Sequence, residues 1–216
     1  MKTDYTEKIR SFEQNEELLR LKQLAKERLS EKRYLHTVAV AERGVLLAEI
    51  HGGDAFKAYK AGLLHDICKD THFLKQEEVI VKYYPTFWKE KKVWANSMAL
   101  WHSKAGAVFV RHELNETDEE IINAVEYHTS AREGMSLTEQ IVYLADLTSE
   151  DRSYPDIDVM RRLSEEDIDY AMLYALTYII GDLTEKEEPI SIETVTAYNQ
   201  YVIKCRPTFL VDPQKR

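Results

Sequence analysis

Apolar residues recur at three- and four-residue spacing along almost the whole chain, and no segment alternates with the period of two that a half-buried strand needs. That pattern restricts the fold to packed layers of helices. Only 7 Gly and 5 Pro interrupt the 216 residues, and 44% of them are hydrophobic, enough to bury a core without staples. The reading is an all-α fold, a bundle of about seven to nine helices.

The spacing predicts a peripheral N-terminal helix from about Tyr5 to Leu29. A second helix should run from Ser30 to Ile50 and stop at Gly52-Gly53, because glycine tolerates the left-handed conformation of a helix end. Asp54 opens a third helix that ends at His65. After Lys69 the pattern loosens through Trp88, Trp94 and Trp101, then tightens from Ser103 to Leu114. Thr117 with Glu120 and Ser136 with Glu139 match the capping box, in which each side chain satisfies a free N–H of a helix start. A final long helix is expected from Ser164 to Leu183, with Ile168, Ala171, Met172, Ala175 and Ile179 on its buried face. The domain is expected to span residues 30–203, with 1–29 and 204–216 as appendages.

Two cysteines, Cys68 and Cys205, are too few for a disulfide framework and fit a reducing compartment. The N-terminus lacks the apolar run of a secretory signal, and no stretch is apolar for long enough to cross a bilayer, so we expect a cytoplasmic protein with no membrane partner. A net charge of −9 argues against nucleic-acid binding, which needs a positive field. An acidic protein that handles phosphates must supply positive charge locally, and bound metal ions do so.

One dipeptide suggests where. His65-Asp66 carries little weight alone, since 7 His and 13 Asp give roughly 0.4 such pairs by chance. It gains weight from His36 in YLHTVAVA, His102 after SMALW, His128 closing IINAVEYHT and Asp146 in IVYLAD, each in an apolar helical setting. An ionised carboxylate buried there needs a compensating charge. Imidazole and carboxylate donors together suit iron, manganese, zinc or nickel. His51, His72 and His112 sit beside turns and charges and read as solvated. Cys68 stands among aliphatic residues and reads as an inert packed thiol.

The order His36, His65-Asp66, Asp146 resembles the HD-domain phosphohydrolase superfamily, and the added His102 and His128 resemble its two-metal members. The strings RYLHTVAVA, AGLLHDICK, HSKAGA, AVEYHT, GMSLTEQIVYLAD, RSYP and TVTAYNQY are similar to the bacterial YqeK family, hydrolases that split diadenosine tetraphosphate symmetrically into two ADP. The resemblance covers about residues 30 to 203. It implies that His36, His65, Asp66 and Asp146 hold one metal, and that His102 and His128 hold a second with Asp66 as bridge. Iron is the metal it implies, with manganese or others as alternatives.

The resemblance also puts nucleotide contacts on Lys69, His128, Thr129 and Arg152 and on Pro189, Ile190, Ser191, Ile192, Glu193 and Thr194. Two metals about 3.5 to 4 Å apart lower the pKa of a water held between them, so no protein nucleophile is required. Asp66, Lys69 and Arg152 are then the catalytic candidates, the two cations facing charge that grows on phosphorus-bound oxygens. Alternative readings are an HD-domain phosphohydrolase acting on a mononucleotide, an alarmone or a cyclic dinucleotide, or a non-catalytic nucleotide-binding protein. An exposed helical face leaves room for a homodimer.

Overall fold

The structure, a computed structural model, describes residues 5–85 and 98–206. Among them are eleven α-helices and no strand. The all-α expectation holds, and the helix count exceeds the expected range for three local reasons.

The N-terminal helix is two helices, α1 (Tyr5–Phe12) and α2 (Glu16–Arg28), because Asn15 turns extended and its side chain accepts from Leu18 N. Two helices escaped the pattern, α5 (Phe73–Tyr83) and α11 (Ile192–Cys205). Of the expected helix from Ser164, the first three residues close α9 (Ile157–Glu166), whose start the pattern missed, and the rest lies in α10 (Ile168–Glu185). Asp167 breaks the expected helix: its backbone is extended and its carboxylate accepts from the N–H groups of Asp169 and Tyr170. Trp88 and Trp94 lie outside the described residues.

Elsewhere the local signals work as read. Helix α3 (Glu31–His51) ends where Gly52 takes φ 72°, and the Gly52 and Gly53 N–H groups both donate to Ala48 O. Asp54 caps α4 (Ala55–Leu64), and α6 (Trp101–His112) begins two residues before the expected start. Ser136 and Glu139 form a complete capping box at α8 (Leu137–Thr148). The second expected box does not form. Asp118, not Thr117, caps α7 (Glu119–Tyr127), by accepting from Glu120 N. Two adjacent cap-capable residues competed, and the carboxylate took the position.

Helices α3 and α4 cross very closely. A Cβ on Gly62 would stand 2.6 Å from Ala41 Cα, so bare backbone is what allows the approach. Around this crossing the core collects Leu18 and Leu21 of α2, Leu47 of α3, Leu63 of α4, Ile141 of α8 and Met172 of α10. The crossing matters for the site, because α3 carries His36 and α4 delivers His65-Asp66. No described helix is long and apolar enough to cross a membrane.

Candidate metal centre

His65 and His128 occupy the same place on two helices, each directly after the last turn of α4 and α7. Each donates Nδ1–H to the carbonyl three residues back, His65 to Gly62 O at 2.7 Å and His128 to Val125 O at 2.8 Å. A nitrogen that close to a carbonyl oxygen must carry the proton, so in both rings Nε2 is the free lone pair. The helix ends thus fix the tautomer a metal needs.

The other ligand-type residues converge on those nitrogens. His102 Nε2 lies 3.1 Å from His128 Nε2 and 3.1 Å from Asp66 Oδ1. Asp66 Oδ1 is 3.5 Å from His128 Nε2, and its Oδ2 is 3.8 Å from His65 Nε2. His36 Nε2 meets Asp146 Oδ1 at 3.0 Å. Three overlapping sets of possible ligands result: His36, His65 and Asp66; His65, His128 and Asp146; Asp66, His102 and His128. All six sequence candidates are brought together, and Asp66 is shared by the first and third sets.

His65 Nε2 is fully buried and has no hydrogen-bond partner. Such an orphan costs about 1–3 kcal/mol, and a cation beside it removes the penalty. Burial holds the His65 and His102 imidazoles down to about 4, so both are neutral near pH 7, the form that ligates. For Asp66 and Asp146 burial works against the charge. The neighbouring histidines and cations more than offset it, and both carboxyls sit well below the usual carboxylate range. Donor set, tautomers and charge all fit a metal centre.

The centre forms part of the lining of a cleft of about 770 Å³. Lys69, Thr129 and Arg152 line it too, as the sequence suggested. Lys69 Nζ stands 3.0 Å from His102 Nε2 and 3.8 Å from Asp66 Oδ1. Arg152 pairs with Asp146 Oδ1 through Nη2 and donates Nε–H to Asp146 O at 2.8 Å. The stretch from Pro189 to Thr194 does not line this cleft. Ser191 caps α11 by accepting from Thr194 N, and Thr194 donates to Ser130 O at 2.7 Å, so it braces the turn behind His128 and Thr129.

Sequence reasoning missed the residues that aim the ligands. Asp151 accepts from His36 Nδ1 at 2.8 Å, which orients the ring so that Nε2 faces Asp146. Arg161 holds the turn that carries Asp151 and Arg152, donating to Thr148 O, Ser149 O, Glu150 O and Arg152 O at 2.8 to 3.4 Å. Buried Arg43 ties Thr148 to Ser164 and Glu165, joining α3, α8 and α9. Only the run of charges after Asp146 hinted at any of this.

The spare histidines are more employed than expected. His51 is half-buried, with Nε2 2.7 Å from Ser164 O, so it ties α3 to α9 and is not simply solvated. His72 is exposed and caps α5, and exposed His112 stacks on Tyr83 at 3.9 Å.

Cys68 is buried, and burial raises its thiol pKa. Its nucleophilic form is scarce at neutral pH. Replacing Cys68 by Ala should therefore leave turnover within about twofold of the parent while costing about 1 kcal/mol of stability for the lost packing. Steady-state rates and thermal unfolding of the variant check both, and a rate loss of two orders of magnitude or more would restore the thiol to the chemistry.

Residues 33–151 match the family model described as HD domain, a span that contains all six ligand-type residues. The chain is 34% identical over 181 residues to the symmetrical bis(5'-nucleosyl)-tetraphosphatase of Bacillus subtilis (strain 168), covering 82% of this chain and 93% of that protein. It is 33% identical over 182 residues to the protein of that name from Halalkalibacterium halodurans, covering 84% and 95%. A crystal structure of a predicted HD superfamily hydrolase involved in NAD metabolism from Clostridium acetobutylicum superposes with a TM-score of 0.81 at 29% identity, covering 86% of this chain and 96% of that one.

Proposed function

Since the chain belongs to the HD-domain family, we propose that it is a metal-dependent hydrolase that splits diadenosine tetraphosphate symmetrically into two ADP. The observation that carries the chemistry is the meeting of six ligand-type side chains at one charged cleft, four of them in its lining, with a buried ring nitrogen that needs a cation. The substrate rests on the activity printed for the Bacillus and Halalkalibacterium relatives, which match over nearly their whole length.

His36, His65, Asp66 and Asp146 would hold one ion and Asp66, His102 and His128 the other, iron foremost, with manganese an alternative. Bound metal ions supply Lewis acidity and lower the pKa of water. The chain's own part is to orient and to balance charge. Asp151 fixes the His36 ring, and the carbonyls of Gly62 and Val125 fix those of His65 and His128.

Water attacks one of the two central phosphorus atoms, the bridging P–O bond between the central phosphates breaks, and the displaced ADP leaves with the electron pair. A nucleoside diphosphate is a stable anion and needs little general-acid help. Charge that grows on the non-bridging oxygens in the transition state is met by the Lys69 ammonium and the Arg152 guanidinium. Arg152 is held ready by its two bonds to Asp146, so little side-chain freedom is lost when phosphate arrives. Thr129, beside His102 Nε2 at 3.4 Å, offers a hydroxyl to the same oxygens.

Removing Lys69 as Lys69→Ala should lower turnover by roughly 10- to 100-fold with a smaller change in KM, because its charge is needed most in the transition state. Steady-state kinetics on diadenosine tetraphosphate check this, and an unchanged kcat would leave Lys69 as packing for His102. The activity itself is tested with a panel of dinucleoside polyphosphates, mononucleotides and cyclic dinucleotides on the purified protein. Diadenosine tetraphosphate is expected to give the highest kcat/KM, and preference for a mononucleotide or a cyclic dinucleotide would overturn the assignment.

A further inference from the structure

Charge accounts for only part of the cleft. One stretch of its lining is apolar: Leu147 near the end of α8, Tyr154 in the turn after Arg152, and Tyr178 with Ile179 on α10. All four are half-buried, exposed enough to meet a ligand. Ile179, expected on the buried face of its helix, reaches the cleft instead. The two tyrosine rings lie 5.3 Å apart at an interplanar angle of 34°, and Tyr154 donates its hydroxyl to Leu147 O at 2.8 Å, which pins that ring against the wall.

A polyphosphate chain has no use for such a surface. The metal centre, Lys69 and Arg152 already suit phosphates, whereas half-exposed aromatic and aliphatic side chains in a cleft that is otherwise mainly charged and polar suit a flat, weakly hydrated group. Among the described lining residues Tyr154 and Tyr178 are the only phenyl-type rings. Arg152 lines the same cleft, two residues before Tyr154 in the chain.

We infer that the wall made by Leu147, Tyr154, Tyr178 and Ile179 seats one nucleobase of the substrate, with the base face on Tyr178 and the attached phosphates running past Arg152 to the metal centre. This rests on the proposed nucleotide hydrolysis and deepens it. Stacking is indifferent to the hydrogen-bonding edge of the base, so the seat accepts adenine and guanine alike. Recognition of this half of the substrate is then by ring and not by sequence of polar groups.

Equilibrium binding of ADP and of pyrophosphate to the metal-loaded protein separates base from phosphate. Tyr178→Leu keeps apolar bulk and removes the ring. It should weaken ADP by about tenfold, the scale of one lost base–aromatic stack, and leave pyrophosphate within about twofold. Tyr178→Phe should bind ADP like the parent. Ile179→Ala, which trims the same wall without touching either ring, should weaken ADP by about threefold, pyrophosphate again unaffected.

Unchanged ADP binding in Tyr178→Leu overturns the inference. So does a parallel loss of ADP and pyrophosphate, which would mean a distorted cleft, or an equal loss in Tyr178→Phe, which would assign the effect to the hydroxyl. Both ligands are read without turnover. A parent protein that fails to hydrolyse diadenosine tetraphosphate therefore contradicts the proposed function alone, and the binding result still decides the base seat.

Discussion

Asp66→Ala should abolish the release of ADP from diadenosine tetraphosphate, by roughly 10³-fold or more, and should strip bound metal from the protein. The carboxylate is 5% exposed and is the one side chain common to the His36–His65 and His102–His128 ligand sets. It also faces Lys69 Nζ and Arg33 Nη1, each at 3.8 Å. Removing it takes a ligand from both proposed ions at once and leaves two cations and three imidazoles without their central anion. An uncompensated buried charge is itself destabilising, so the companion variant Asp66→Asn, which keeps the shape and drops the charge, should fold and still lose metal and activity. Metal content and ADP release measured on the same samples decide the matter. Full occupancy with normal turnover in Asp66→Asn would remove Asp66 from the centre of the site.

The second large effect is on the scaffold. Gly62→Ala should lower stability by about 3 kcal/mol, the upper part of the overpacking range, because the new Cβ would stand 2.6 Å from Ala41 Cα and 3.0 Å from Ala41 N. Those are backbone atoms that no rotamer change can move. The strain falls where α3 and α4 cross, so relief requires the helices to part, carrying His36 away from His65. Activity should fall with stability. Gly181→Ala on α10 is the control, since a Cβ there meets nothing within 4 Å; it should be neutral or stabilise by up to about 1 kcal/mol, as expected for Gly→Ala inside a helix. Thermal unfolding is expected to show Gly62→Ala melting about 6 to 12 °C below the parent. Equal melting points for the two variants would contradict the close crossing.

What the sequence disclosed and what it hid divide along a physical line. The places of His65-Asp66 and His128 were legible because they depend on local features: a polar residue closing an apolar run, as in AGLLHD and INAVEYH, ends up at a helix end beside the core. Gly52 and the Ser136–Glu139 box were legible for the same reason, each acting within one turn. Asp151 was not, because its bond to His36 joins residues 115 apart and exists only after α3 and α8 have packed. Arg161 and Arg43 likewise act through carbonyls and hydroxyls that tertiary structure brings to them.

Asp167 shows the limit within local reading. Its neighbours keep a helical period on both sides, so the apolar spacing runs on while one carboxylate capturing two N–H groups ends a helix and starts the next. Ile179 in the Tyr178 wall is another case. Its spacing reads as core, and only the position of α10 beside the cleft turns a buried stripe into a surface a ligand can reach.

The account stands or falls on whether metal in this centre performs symmetrical cleavage. The direct measurement is to strip the protein of metal, add back iron or manganese in steps, and follow bound metal per chain together with every nucleotide formed from diadenosine tetraphosphate. The account predicts that hydrolysis is absent in the stripped protein, grows with occupancy up to two ions per chain, and yields ADP alone. Full hydrolysis by metal-free protein, or release of AMP with ATP, would contradict it.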